Sequence, residues 1–239
     1  MLRFSNLGKV SQYVEKVADL GKRNLLFRVD VKHLYSIWQL CKSHEEYQLG
    51  LTAVNHFYNF GRQLSPEGVN KLFVFTMRCR EYREAIKLLE GARDWLQAPP
   101  DMSLIYMLMS ALISQRDYAA VKDVFKAVRS NWQLKPTDYL YKLCIESMLC
   151  LQEHPLEEAL MVYCDSAIMD VPLPVDLHLL MLGKAAQCQR IYTLDCVMEQ
   201  AEVDKEKEKL YSYTASYIRE RLSRESYSPK RIIPPNRPL

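Results

Sequence analysis

The chain has 239 residues, 49% hydrophobic and 26% charged, with a formal net charge of +3. That apolar fraction excludes a disordered chain as the default and leaves length for one large domain or two small ones. The mildly basic balance permits contact with nucleic acid but lacks the dense basic face of a dedicated binding domain. Seven glycines and eleven prolines are too few for the frequent turns of an all-β protein, and no apolar run approaches the ~18–20 residues that span a bilayer.

The first segment, MLRFSNLGKVSQYV, carries Arg3, Lys9 and two serines among spaced apolar residues, with no acid before Glu15. An amphipathic, basic, Ser-containing start of this kind is similar to a mitochondrial presequence, which implies the matrix as the compartment. Residues 1–29 are therefore expected to form a basic N-terminal helix that caps the remaining helices and doubles as a candidate targeting segment.

From residue 30 to 204 a tyrosine returns in the fragments HEEYQL, CREYRE, QRDYAA and QRIYTL, at Tyr47, Tyr82, Tyr118 and Tyr192. The steps are 35, 36 and 74 residues, and Leu156 sits near the middle of the last one. A period of this size is the mark of a stacked repeat array. Three residues after the tyrosine, or after Leu156, come Gly50, Ala85, Val121 and Ala159, small enough for two helices to approach closely; Asp195 is the exception. Six and seven residues after it come Ala53–Val54, Leu88–Leu89, Val124–Phe125 and Val162–Tyr163, which completes one apolar helical face. Ten residues before it, Ile37, Leu72, Leu108 and Leu182 belong to a preceding helix across a short turn.

Prolines at 66, 100, 136 and 174 punctuate the units, since Pro cannot continue a helix but can open one. Trp95 and Trp132 fall where a second helix should end and are expected to cap it by burial. This divides the array into five helical hairpins, at about 30–64, 65–99, 100–135, 136–173 and 174–204, with about two extra residues expected in the turn of LCLQEHPLEEA. Each is an amphipathic pair that cannot bury its face alone, so neighbours must stack. Residues 205–225 read as a C-terminal helix. Residues 226–239, SYSPKRIIPPNRPL, read as an extended basic Pro-rich tail in which Lys230, Arg231 and Arg237 would anchor a partner. The fold class is thus all-α, an α-solenoid of about five helix-turn-helix repeats with flanking helices.

Cysteines stand at 41, 79, 144, 150, 164, 188 and 196. An odd count without regular spacing argues against a disulfide framework, and their apolar helical settings suit small free hydrophobes in a reducing compartment.

The units resemble pentatricopeptide repeats, in DMSLIYMLMSALISQRDYAAVKDVFKAVRSNWQLKP best and in PEGVNKLFVFTMRCREYREAIKLLEGARDWLQAPPD next. The resemblance covers residues 30–204, and no unit is a consensus copy. It implies an organellar protein that contacts single-stranded RNA, one base per repeat, through a residue near the start of each first helix and a second at the repeat's end. Twelve residues before each tyrosine stand Tyr35, Asn70, Tyr106 and Leu180, and the irregular fourth unit offers Lys142 or Cys144. Only Asn70 is of the polar type the family uses, and with Asp101 at the end of its unit it resembles a uracil-reading pair. Tyr35 and Tyr106 could stack on bases or pack on neighbouring repeats. Two basic clusters are candidates for phosphate contact: Arg78, Arg80 and Arg83 across one turn, and Lys122, Lys126 and Arg129 on one helical face.

Nothing in the sequence points to catalysis. The glycines are isolated, neither C-x-x-C nor H-E-x-x-H occurs, and the five histidines do not pair with Cys or acids at ligand spacing. No enzyme, cofactor, metal site or small-molecule substrate is expected. One legible repeat in five gives too little base contact for sequence-specific recognition, since each good contact contributes only about 1–3 kcal/mol. The first functional expectation is therefore a structural subunit or assembly factor of a large mitochondrial ribonucleoprotein, the mitochondrial ribosome foremost, with other subunits and rRNA or other single-stranded RNA as partners. The alternatives are a free organellar RNA-processing or stability factor and a protein-only subunit of a respiratory complex.

Overall fold

The computed structural model describes residues 7–26, 29–95, 98–132, 134–188 and 190–204. These residues form eleven α-helices and no strand, so the chain is all-α. They are α1 (Leu7–Lys22), α2 (Lys32–Leu40), α3 (His44–Asn59), α4 (Pro66–Arg78), α5 (Tyr82–Trp95), α6 (Met102–Ser114), α7 (Tyr118–Asn131), α8 (Asp138–Met148), α9 (Pro155–Ile168), α10 (Val175–Gln187) and α11 (Ile191–Val203). Contacts divide the chain into two units, Met1–Pro155 and Leu156–Leu239. The expected C-terminal helix at 205–225 and the tail with Lys230, Arg231 and Arg237 lie outside the described residues.

In the first unit the helices are repeat-like. Consecutive helices pair as α2 with α3, α4 with α5 and α6 with α7. Each first helix also meets the next one, α2 with α4, α4 with α6 and α6 with α8, while α3 meets α1 and α5 meets α7. The periodic apolar positions supply these faces. Ile37, Leu72 and Leu108 are buried on first helices, and Ala53, Val54, Leu89, Val124 and Phe125 on second helices. The small position is where backbones come close: a Cβ added to Gly50 would stand 2.8 Å from the Phe75 ring and 3.4 Å from Trp38. Phe75 in turn stacks on Trp38, with centroids 5.5 Å apart at 8°, and tilts against Tyr47 at 5.0 Å. This aromatic block joins α2, α3 and α4, and each such pair is worth about 0.5–1.5 kcal/mol beyond its buried area.

The N-terminal helix belongs to this core. Val10, Val14 and Val17 form an i, i+4, i+7 stripe on α1, all three are buried, and α1 packs on α3.

Local chemistry starts and stops the helices where the punctuation suggested. Pro66 is the first residue of α4, with the Ser65 hydroxyl accepting from Gly68 N–H at 3.2 Å. Ser43 and Glu46 make a capping box on α3, and Thr137 caps α8 through Leu140 N–H at 3.2 Å. Trp132 comes just after the last residue of α7 and is half-buried, while the Trp95 side chain lies outside the described residues. Four turns from first to second helix are three residues long, at 41–43, 79–81, 115–117 and 188–190; the connection from α8 to α9 has six residues, 149–154. The extra length is three residues rather than about two, and it ends at the boundary between the units.

In the second unit Leu156, Ala159, Val162 and Tyr163 are buried on α9, Leu177, Met181 and Ala185 on α10, and Val197 and Ala201 on α11. Met181 is buried where Leu182 is only half so, and Asp195 is exposed, as its charge requires. The cysteines are less uniform than their surroundings in sequence suggested. Cys41 and Cys144 are buried, but Cys150 and Cys188, in the turns after α8 and α10, are exposed.

Candidate nucleic-acid interface

The predicted base-reading positions lie near the starts of the first helices, and three consecutive ones touch the next first helix. Asn70, on α4, donates from Nδ2 to Asp101 Oδ2 at 2.6 Å, and Asp101 N–H donates to Asn70 Oδ1 at 2.9 Å. Asp101 is the N-cap of α6, yet its carboxylate makes no bond to its own helix. One hairpin later, Tyr106 Oη lies 2.5 Å from Thr137 Oγ1, the N-cap of α8, and its ring meets Tyr139 edge-on at 5.0 Å. One hairpin earlier, Tyr35 carries Lys71 Nζ 4.1 Å over its ring, and a Cβ on Gly68 would stand 2.9 Å from its Oη. Lys71 also pairs with Glu67 at 2.6 Å, which holds the Glu67 carboxyl below its ordinary value. Of the remaining candidates, Leu180 and Lys142 are half-buried and Cys144 is buried.

A second row of bonds runs along the second helices. His44 Nδ1 lies 2.7 Å from Glu81, and Arg83 reaches Asp117 at 2.7 Å and Asp123 at 3.8 Å. Glu81 and Asp117 are the residues just before α5 and α7, and their partners sit in the first turn of the preceding second helix. The same arrangement recurs within the second unit, where Glu157 in the first turn of α9 meets Arg190, just before α11, at 3.0 Å.

These rows divide the first basic cluster. The Arg78 guanidinium donates to the carbonyl of Trp38 and, at 3.4 Å, to that of Cys41, closing the C-terminal end of α2. Arg83 is engaged by acids, and Arg80, exposed with a left-handed φ of +63°, lies in the turn after α4. Lys122, Lys126 and Arg129 share one face of α7 at i, i+4 and i+7; Lys126 is exposed and the other two are half-buried.

Sequence reasoning missed a polar core in the second unit. Tyr163 Oη lies 2.5 Å from His178 Nδ1 and 3.4 Å from the Val197 carbonyl. His178 Nε2 faces the Leu173 carbonyl at 3.1 Å and Asp204 Oδ2 at 3.3 Å. The Asp204 carboxylate also accepts from Leu173 N–H and from Gln200 Nε2, both at 2.9 Å. His178 is fully buried and the Asp204 side chain is 4% exposed, so these groups depend on one another for hydrogen bonds. Burial drives the Tyr163 hydroxyl well above its ordinary value, keeping it a neutral donor. Beside this core, Cys164 Sγ on α9 stands 3.8 Å from Cys196 Sγ on α11. Leu173 and Asp204 stand 31 residues apart, the same separation as Asn70 from Asp101 and Tyr106 from Thr137, but that spacing does not name the partners in advance.

Among the described residues no group of three or more His, Cys, Asp or Glu is gathered to hold a metal ion, and no helix is long and apolar enough to cross a membrane. Compared with known proteins, the chain matches no family model and no curated relative.

Proposed function

We propose that the chain is a non-catalytic scaffold, a structural subunit or assembly factor of a large mitochondrial ribonucleoprotein, the mitochondrial ribosome foremost. Its pentatricopeptide-like hairpins form a solenoid that contacts RNA through shape and phosphates, and protein through the remaining surface. The observation that carries this is the engagement of the base-reading positions with the protein itself. Tyr35 packs on Gly68 and Lys71, Asn70 bonds Asp101, and Tyr106 bonds Thr137. A side chain that already bonds the next hairpin must exchange that bond for a base, which removes most of the ~1–3 kcal/mol a good base contact offers. Phosphate contact needs no such exchange, and Lys126 and Arg80 are exposed for it. The basic start of the chain supports the compartment. Because α1 buries Val10, Val14 and Val17, removal of a targeting segment beyond residue 9 would cost the first unit part of its core.

Gradient sedimentation of the native tagged protein from mitochondrial lysate, with and without RNase, tests the proposal. Migration with a ribosomal subunit, shifted by RNase, is the expected result. A large particle indifferent to RNase would instead assign the chain to a protein-only complex, and slow sedimentation near 28 kDa would make it a free RNA-binding factor.

A further inference from the structure

We propose that Cys164 and Cys196 form a reversible redox site, in which a low-molecular-weight disulfide of the glutathione class closes a bond between α9 and α11. The two sulfurs are 3.8 Å apart and both side chains are half-buried, so they are within reach of each other and of a small reagent. Closing the bond needs about 2 Å of approach, since a disulfide is about 2.05 Å long. The helices are already held in register at this point. Tyr163, the neighbour of Cys164, faces the carbonyl of Val197, the neighbour of Cys196, and is fixed from the other side by His178. Side-chain rotation, rather than repacking of α9 on α11, therefore supplies most of the approach.

The two thiols act in order. Burial first, then the charge of Cys196 and its hydrogen bond, push the Cys164 thiol up to about 11, so it stays protonated near neutral pH. Cys196 gives its proton to solvent, attacks one sulfur of glutathione disulfide and expels one glutathione thiolate, leaving a mixed disulfide on Cys196. Cys164 then gives its proton to solvent, attacks Sγ of Cys196 and expels the second glutathione. Two electrons and two protons leave the protein, and one glutathione disulfide becomes two reduced glutathiones; excess reduced thiol runs the sequence backwards. The bond spans 32 residues and encloses the whole of α10, so it ties together the last two hairpin helices and α9.

The test uses the full chain, folded, incubated with excess glutathione disulfide and mapped by mass spectrometry of unreduced peptides. A peptide linked through Cys164 and Cys196 is expected, together with a melting temperature raised by a few degrees and restored by dithiothreitol. The exposed Cys150 and Cys188 report that the reagent reached the protein, by taking up glutathione. Cys164→Ser should leave glutathione on Cys196 with no linked peptide. The proposal is overturned if Cys150 and Cys188 are modified while Cys164 and Cys196 remain free thiols. It is equally overturned if Cys196 holds glutathione indefinitely in the unaltered chain, or if the link forms only in denaturant.

Discussion

In the first unit, the ion pairs and the Asn70–Asp101 bond between successive hairpins lie at the surface, although Tyr47 Oη also meets Thr76 Oγ1 inside the core at 3.4 Å. Arg83 is 60% exposed where it meets Asp117, His44 is 66% exposed where it meets Glu81, and the Asn70–Asp101 pair is open to solvent. In the second unit, Tyr163, His178 and Asp204 make the corresponding link out of contact with water. The chemistry is similar and the consequences are not. An exposed pair exchanges solvent bonds for protein bonds at little net gain, typically about 0–1 kcal/mol. A buried donor or carboxylate stripped of its partner keeps the full desolvation penalty. The first unit is thus held by its apolar faces and aligned by its surface bonds, whereas the second unit depends on a polar network inside its core.

Asp204→Ala should show the largest effect. It strips His178 Nε2 of its carboxylate, leaves Leu173 N–H and Gln200 without their acceptor, and should cost about 3 kcal/mol. Hydrogen exchange of peptides from 156–204 should accelerate while those from 32–95 hold their protection. Equal acceleration in both regions would break the contrast between the units.

The contrast was only half legible in the chain, because a sequence period encodes faces and not partners. The helices and their apolar faces were legible because Ile37, Leu72, Leu108, Ala53, Val124 and their neighbours recur at one spacing and are buried at that spacing. Close approach at Gly50 was legible for the same reason. The partners of polar residues were not, because periodicity places a side chain on a face and says nothing of what stands opposite. Asn70 and Asp101 were paired as readers of a base, and the structure brings them together as partners of each other. Arg78, Arg80 and Arg83 look like one patch in RCREYR, but a helix end and a left-handed residue between them send Arg78 to the carbonyls of α2 and Arg83 to the acids of α7. His178 passed for an isolated histidine because its acid, Asp204, lies across a whole hairpin.

A smaller effect should appear in both units at alkaline pH. Burial pushes Cys41 up to about 12 and Cys79 and Cys164 up to about 11, from an ordinary thiol value of 9.0. Above pH 9 the unfolded chain releases protons that the folded chain keeps, so the stability these thiols contribute is complete below pH 9 and is lost as pH rises toward about 11 for Cys79 and Cys164 and about 12 for Cys41. The slope is at most about 1.4 kcal/mol per pH unit for each thiol. The urea midpoint should therefore fall between pH 8 and about pH 10, and that of Cys41→Ala, compared with itself at the two values, should fall less. An unchanged slope in that variant would mean that Cys41 titrates as it does in the unfolded chain.

The smallest effects separate alignment from stability. Arg83→Ala removes the bonds to Asp117 and Asp123, and Asn70→Ala removes both bonds to Asp101; each should cost less than about 1 kcal/mol, because water replaces what is lost. The sites share no partner, one linking α5 to α7 and the other α4 to the start of α6, so the double variant should show the sum of the two. What should change more than stability is orientation between hairpins, read as a faster exchange of the amides at the starts of α6 and α7 with the global midpoint nearly constant. A single loss above about 2 kcal/mol would place these surface bonds in the same class as the buried network. Binding supplies the second arm. Asn70→Ala should leave the base preference of any bound single strand unaltered, because Asn70 is committed to Asp101. A shift in preference at one nucleotide would show that the pair opens to read it, and would move the chain from scaffold toward reader.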